Sequence, residues 1–267
     1  MMSGLKRAAK ALLPIGLQVP VKYWSDQFRG FAEPEMALLP VLVSAGCRVV
    51  DVGGNRGVYS YRLWKLGAKV DVFEPNPVCL AVLGAWSRGK PRVTLHPCGL
   101  SDGIGSAELH IPVDDAGVEH DASASLEHHE FGQERAHAVS IATLDSFRLK
   151  EVSFIKIDVE GHEYRVIEGA RETLAASRPA LLVEIEQRHC AGPISDVFAR
   201  SLAHGYEGYF FEQGRLRPIA SFNVDHHQQT GQLGQKDGSY INNFLFLHGS
   251  RRAAGEYPGL AAFGLSQ

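Results

Sequence analysis

From residue 48 onward, short apolar runs alternate with longer stretches whose apolar residues recur every three or four positions. This is the pattern of a mostly parallel sheet with helices on both faces. RVVDVG (48–53) predicts a first strand, and Tyr59 to Leu66 a helix behind it. KVDVFE (69–74) predicts a second strand, followed by a helix starting near Pro77, whose fixed φ suits a first helical turn. RVTLHP (92–97) is a third strand and SAELHIP (106–112) a hairpin. A long passage of mixed charge and histidine over about 113–137 then reads as a loop, a candidate lid or substrate loop, before VSIATL (139–144). FIKIDVEG (154–161) is a fourth strand ending in acids, and the helix after it sets Ile167, Ala170 and Leu174 on one face. ALLVEIE (180–186) is the fifth, and GYFFE (208–212) and NFLFLH (243–248) are two more. The expected organisation is a helical segment packing on the core (1–47), one α/β domain (48–248) and a polar, glycine-rich, loosely held tail (249–267).

Composition narrows the function classes. The chain of 267 residues carries 27 basic and 30 acidic side chains, a formal charge of −3, and this balance does not call for nucleic acid. Cys47, Cys79, Cys98 and Cys190 lie far apart with no CxxC pair, which fits reduced thiols in a cytosolic protein. At the start, Lys6, Arg7 and Lys10 precede an apolar run in the manner of a secretion signal, but Pro14 and Pro20 interrupt it and no small-x-small cleavage site follows. The segment reads as a leading helix that packs on the domain edge or touches a membrane surface peripherally. No stretch approaches the roughly 20 apolar residues that span a bilayer. A soluble, cytoplasmic protein is expected.

The first turn carries the chemistry. In VVDVGGNRGVYS (49–60), counting from Gly53 puts Asn55 and Val58 where a dinucleotide fingerprint requires glycine, and no Gly-Lys-Ser/Thr follows to make a phosphate loop. What remains is a glycine-rich, acidic turn without the features that hold phosphates. Downstream, FEPNP places Glu74 near the spacing at which an acid meets a ribose diol. An adenosyl ligand without a pyrophosphate suggests S-adenosylmethionine, with Asp51 facing its ammonium end, Gly53 its close-packed middle and Glu74 its ribose hydroxyls.

Several ordered blocks then resemble the FkbM family of S-adenosylmethionine-dependent methyltransferases: VVDVGGNRGVYS, VFEPNP, the GLSD turn (99–102), ATLDSF (142–147), IKIDVEGHEYRVIEGA (155–170), LLVEIEQRH (181–189) and the terminal NFLFL. The resemblance implies a Rossmann-like methyltransferase fold with a seven-stranded sheet whose last strand is antiparallel, and methylation of hydroxyls on sugars or natural products. It implies Asp51, Gly53, Asn55, Gly57 and Glu74 around the cofactor, with Ser101 and Asp102 of the GLSD turn, and Asp158 and Glu160 at the head of the fourth strand.

Methyl transfer from a sulfonium needs alignment first and a proton acceptor second. Acids and imidazoles expected at the strand ends are Asp158, Glu160, His162, Glu163, Glu184, Glu186 and His189, of which Asp158, His162, Glu186 and His189 are the catalytic candidates. Asp158 and His162, four residues apart at a strand-to-helix turn, could both face the pocket. The pairs His128–His129 and His226–His227 read as solvated loop residues, and no metal is expected. The acceptor is a small molecule or a glycan hydroxyl. N-methylation, a nicotinamide-dependent oxidoreductase and a non-catalytic relative of the fold stay open as alternatives.

Overall fold

Five β-rich runs lie side by side with their carboxyl ends aligned. These are β1 (Arg48–Val52), β2 (Lys69–Phe73), β3 (Val93–His96), β7 (Val152–Ile157) and β8 (Ala180–Glu184), all parallel. Between β3 and β7 run β4 (Gly99–Leu100), β5 (Gly105–Val113) and β6 (Gln133–Ala142), which form a separate three-stranded sheet in the order β4-β6-β5. The chain ends its large sheet with β9 (Tyr206–Glu212), β10 (Arg215–Pro218) and β11 (Asn243–His248). The order is β10-β9-β11-β8-β7-β1-β2-β3, with β11 antiparallel to both of its neighbours. This computed structural model describes residues 13–114, 119, 123–127, 133–190, 192–232 and 239–265.

Seven of these strands are the expected sheet with its reversed strand. The eighth, β10, is an edge strand folded back on β9 through Gln213 and Gly214, both at positive φ (48° and 79°). RLRP carries one apolar residue that the sheet buries, Leu216, which is too little alternation to mark a strand in the sequence. The described part of the passage 113–137 also differs from a plain loop. Val113 and 133–137 extend the β5–β6 pair, and Ser125 exchanges backbone hydrogen bonds with His110. Its alternation of charged and small residues hides a strand that is exposed on one face. The tail over 249–265 is not loosely held. Gly249–Ala253 is helical, Pro258–Phe263 forms a 3-10 turn, and Tyr257 and Leu260 are buried in the main core. Gly259 lies so near Val41 that a Cβ there would stand 2.6 Å from Val41 Cγ1. Spaced apolar residues among glycines suffice to anchor such a segment.

Helices cover both faces. α1 (Gln18–Arg29) buries Val19 and Tyr23, and Tyr23 meets Tyr61 of α2 (Val58–Lys65) with ring centroids 5.0 Å apart. α3 (Pro77–Ser87) is capped by Asn76, whose side chain accepts from the Val78 N–H. On the other face, α4 (Glu163–Glu168) and α5 (Arg171–Ser177) replace the single helix expected after β7, and Ile167, Ala170 and Leu174 are all buried. The break falls at Gly169, where a Cβ would stand 2.0 Å from the Ser101 carbonyl oxygen. Across the parallel half of the sheet, Asp71 of β2 is flanked by Arg48 of β1 at 3.3 Å and His96 of β3 at 3.0 Å.

Candidate active site

Strand order reverses between β1 and β7, which opens a crevice beyond their carboxyl ends. Two turns meet there. The Gly53 and Gly54 N–H groups both donate to the Phe73 carbonyl, at 2.9 and 3.1 Å, and the Asp158 N–H donates to the Val52 carbonyl at 3.0 Å. Gly53 has φ 77°, and a Cβ on it would stand 1.8 Å from the Asp158 carbonyl oxygen, so only glycine lets the two turns touch. Asn55 also holds a left-handed backbone, φ 44°. Its N–H donates to Glu74 Oε2 at 2.6 Å, while the Asn76 N–H donates to Oε1 at 2.7 Å. Glu74 thus ties the first turn to the end of β2, and each of its oxygens keeps lone-pair capacity for a further donor. Burial pushes its carboxyl up to about 7, against the pull of those two N–H groups. Asp51, buried on β1, accepts from Ser60 Oγ, and burial pushes it up to about 6.

A second group of charges stands beside the turn. The fully buried Lys156 on β7 directs its ammonium to Asn243 Oδ1 at 3.2 Å, with Glu184 Oε2 at 3.7 Å and Asp158 Oδ2 at 3.8 Å. It also lies 5.0 Å from the centroid of the Tyr59 ring. Burial alone would lower its pKa, but Asp158, Glu184, Glu33 and Asp51 outweigh that and hold it above the usual lysine range. Glu33 accepts from Tyr59 Oη and Asn243 Nδ2. Burial raises Glu33 and Glu184, and it pushes neighbouring Glu35 up to about 8, helped by the Glu33 charge.

Glu35 has a consequence for stability. With its ordinary value near 4.5, it keeps its proton in the folded chain over a range where the unfolded chain has lost it. Its contribution is fully present below that value and is lost as pH rises to about 8. The melting temperature of Glu35→Gln should therefore fall less between pH 5 and pH 8 than that of the wild type; equal slopes in a pH series of thermal melts would refute this.

Two cavities share this corner. One of about 1140 Å³ is lined by Glu33, Met36, Asp51, Gly53, Gly54, Asn55, Tyr59, Lys156 and Asp158, with α1 on its outer side. The other, about 50 Å³, lies between Gly53, Asn55, Glu74, Gly99, Leu126, Asp158 and Glu160. Gly53, Asn55 and Asp158 border both.

Of the residues expected at the site, Asp51, Gly53, Asn55, Glu74, Asp158 and Glu160 line one or both cavities. The others line neither. Gly57 opens α2 with φ 76° and packs on Val19 and Leu83. His162 does not face the pocket beside Asp158. It bonds Ser101 Oγ through Nε2 at 2.9 Å and Glu127 Oε1 through Nδ1 at 2.6 Å, while Arg165 donates to Asp102 at 2.9 Å. Positive φ at Glu160 and Gly161 turns the chain between Asp158 and His162, so their four-residue spacing is not that of one helical face. Ser101 and Asp102 are therefore engaged in a clasp between the small sheet and α4. Glu186 is taken up by Arg188, at 2.7 and 3.0 Å, and by Tyr240 Oη. His189 Nε2 lies 3.1 Å from Glu160 Oε2. Glu163 is buried and accepts from the Gly161 N–H at 3.0 Å. Glu160, Glu186 and His189 form the one group of three or more among the described residues whose ligand-type atoms all lie within 4.8 Å of one another. His128 and His129 lie outside the described residues; His227 is not solvated but buried, stacked on Phe222 at 5.0 Å.

Glu33, Tyr59, Lys156 and Asn243 were not anticipated. A lone lysine inside the apolar strand FIKI and an Asn-Asn pair opening NFLFL are the signals that mark two of them.

A Rossmann-like sheet with one reversed strand, an acid ending β2 and a glycine turn without phosphate-binding features together describe the methyltransferase class. The methyltransferase FkbM domain matches residues 51–212, more than half of the chain, and the protein belongs to that family. Among solved structures, a methyltransferase FkbM from Methylobacillus flagellatus KT is similar at 19% identity and a TM-score of 0.49, covering 76% of this chain and 44% of that one. This chain thus spans less than half the length of that structure. A TehB-like SAM-dependent methyltransferase from Corynebacterium glutamicum ATCC 13032 Kitasato is similar at 14% identity and a TM-score of 0.42, covering 85% and 95% of the two chains. A SAM-dependent O-methyltransferase from Thermotoga maritima follows at 14% identity and 0.37, covering 80% and 64%. No match is found among curated proteins.

Proposed function

We propose that the protein uses S-adenosylmethionine to methylate a hydroxyl of a sugar or natural product. The observation that carries this is the position of Asp158, which borders both cavities beside the first turn. The donor set suits the cofactor. Glu74 offers lone pairs to a ribose diol, and the carboxyls of Asp51, Glu184 and Glu33 gather behind the first turn as hydrogen-bond acceptors for a ligand that carries an ammonium. When bound, S-adenosylmethionine supplies a methyl group on a positively charged sulfur, open to in-line attack. The 50 Å³ cleft beside Glu74 is far below the roughly 300–1,000 Å³ of ordinary ligand pockets. Seating an adenosyl group there requires the Ala124–Leu126 wall to move outward.

The chain's own part is to align an acceptor, exclude water and take a proton. Asp158 is the acceptor of that proton. Glu160 is the weaker candidate, because burial and then the Asp158 and Glu186 charges push it up to about 8 and His189 Nε2 lies 3.1 Å from its carboxyl. Lys156 positions the Asp158 carboxylate from 3.8 Å. Asp158→Asn should lower kcat about 10²-fold, the low end of the range for acid–base groups, while retaining affinity for S-adenosylhomocysteine. Assays with tritiated cofactor and a panel of glycosides and polyol acceptors read this out. Undiminished turnover in the variant would remove Asp158 from the role, and failure of the folded wild type to bind the cofactor would remove the function.

A further inference from the structure

Ten large hydrophobic side chains are exposed among the described residues, and six of them fall within residues 15–31: Ile15, Leu17, Val21, Trp24, Phe28 and Phe31. Leu17, Val21, Trp24 and Phe28 recur at spacings of four, three and four, so they form one stripe along α1, opposite the Val19 and Tyr23 that anchor it. Phe28 is 85% exposed, with its ring 6.0 Å from that of Trp24. A stripe of this size is unusual on a surface that has no partner.

Charge distinguishes the candidate occupants. Residues 1–32 contain Lys6, Arg7, Lys10, Lys22 and Arg29 against Asp26 alone, in a chain whose formal charge is −3. Asp26 is engaged by Lys22 at 2.7 Å, and the Arg29 guanidinium lies over the Phe31 ring at 5.2 Å. A two-fold contact through the stripe would bring Lys22 and Arg29 of α1 toward their counterparts in the second copy, which is unfavourable. An anionic bilayer satisfies both features, since Trp and Phe partition into the interface while lysine and arginine meet the headgroups.

We propose that α1 is a docking surface for an anionic lipid bilayer. Val21, Lys22, Arg29 and Phe31 also line the 1140 Å³ cavity, so docking in this way sets the cavity mouth against the headgroup layer.

The test is co-sedimentation of the full chain with phosphatidylcholine vesicles, with and without about one quarter phosphatidylglycerol. Binding is expected to the anionic vesicles, falling about tenfold between 0.1 and 0.5 M NaCl as the headgroup attraction is screened. The variant Trp24→Glu/Phe28→Glu should bind at least about tenfold more weakly. Both side chains face solvent, so its melting temperature should match that of the wild type. Equal vesicle binding by variant and wild type, or no binding by the wild type, overturns the proposal. So does a wild-type dimer that becomes monomeric in the variant without any vesicle effect, because a second copy would then cover the stripe.

Discussion

Lys156→Met is expected to destabilise the folded chain by about 3–5 kcal/mol and to lower its melting temperature by roughly 10 °C. The ammonium is fully buried and, among the described residues, is the cation that Asp158, Glu184, Glu33 and Asp51 surround as they converge behind the first turn. Methionine fills much of the same volume but leaves those carboxyls facing one another without a counter-charge. They must then either repel or take up protons, and the Asn243 side chain loses its donor at 3.2 Å. Urea denaturation at pH 7 measures the loss. Adding Glu184→Gln to Lys156→Met should recover part of it, because one of the stranded acids is then gone. A Lys156→Met protein as stable as the wild type would mean that the acids are already neutral in the folded state and that the lysine does not hold them together.

The second large effect concerns the cofactor. Glu74→Ala should weaken binding of S-adenosylmethionine and S-adenosylhomocysteine by about 10²-fold, since a hydrogen bond to a charged acceptor contributes roughly 1.5–3 kcal/mol and the diol offers two hydroxyls. The substitution also leaves the Asn55 and Asn76 N–H groups, now bonded at 2.6 and 2.7 Å, without their acceptor, which loosens the turn itself. Glu74→Gln separates the two effects: its carbonyl can still accept one N–H, so it should hold the turn better while losing the charge. Calorimetric titration of both adenosyl ligands, with NADH as a control, decides the matter. If the alanine variant binds them as the wild type does, the ribose is not held at β2, and the placement of the cofactor along the turn must be redrawn.

Much of the sheet could be read from the sequence because its strands are short apolar runs with glycine or proline at their ends. Arg48–Val52, Lys69–Phe73 and Asn243–His248 fall within a residue or so of where the pattern puts them. Edge and half-exposed strands were harder, because β6 and β10 spend their polar face in solvent and so lose the period that marks a strand. At the site, the acids that close the first two strands were legible from spacing along the chain. His162 was not, since its direction depends on two consecutive positive φ angles that a list of residues does not reveal. Lys156, Glu33 and Asn243 come from positions up to 210 residues apart and converge only through strand order, which periodicity does not encode.

The position of Asp71 between Arg48 and His96 bears on how the parallel half of the sheet assembles. In the observed pairing Asp71 stands opposite Val50 and Thr94, within reach of the Arg48 guanidinium on one side and the His96 imidazole on the other. Sliding β2 by one residue would turn the carboxylate to the other face of the sheet, away from both partners, and bury it unpaired. Apolar strands such as these could otherwise slip past one another at little cost, since valine beside valine is much the same in any alignment. One acid in the middle of such a strand makes misaligned pairings unfavourable and so favours the alignment in which Glu74 meets the glycine turn.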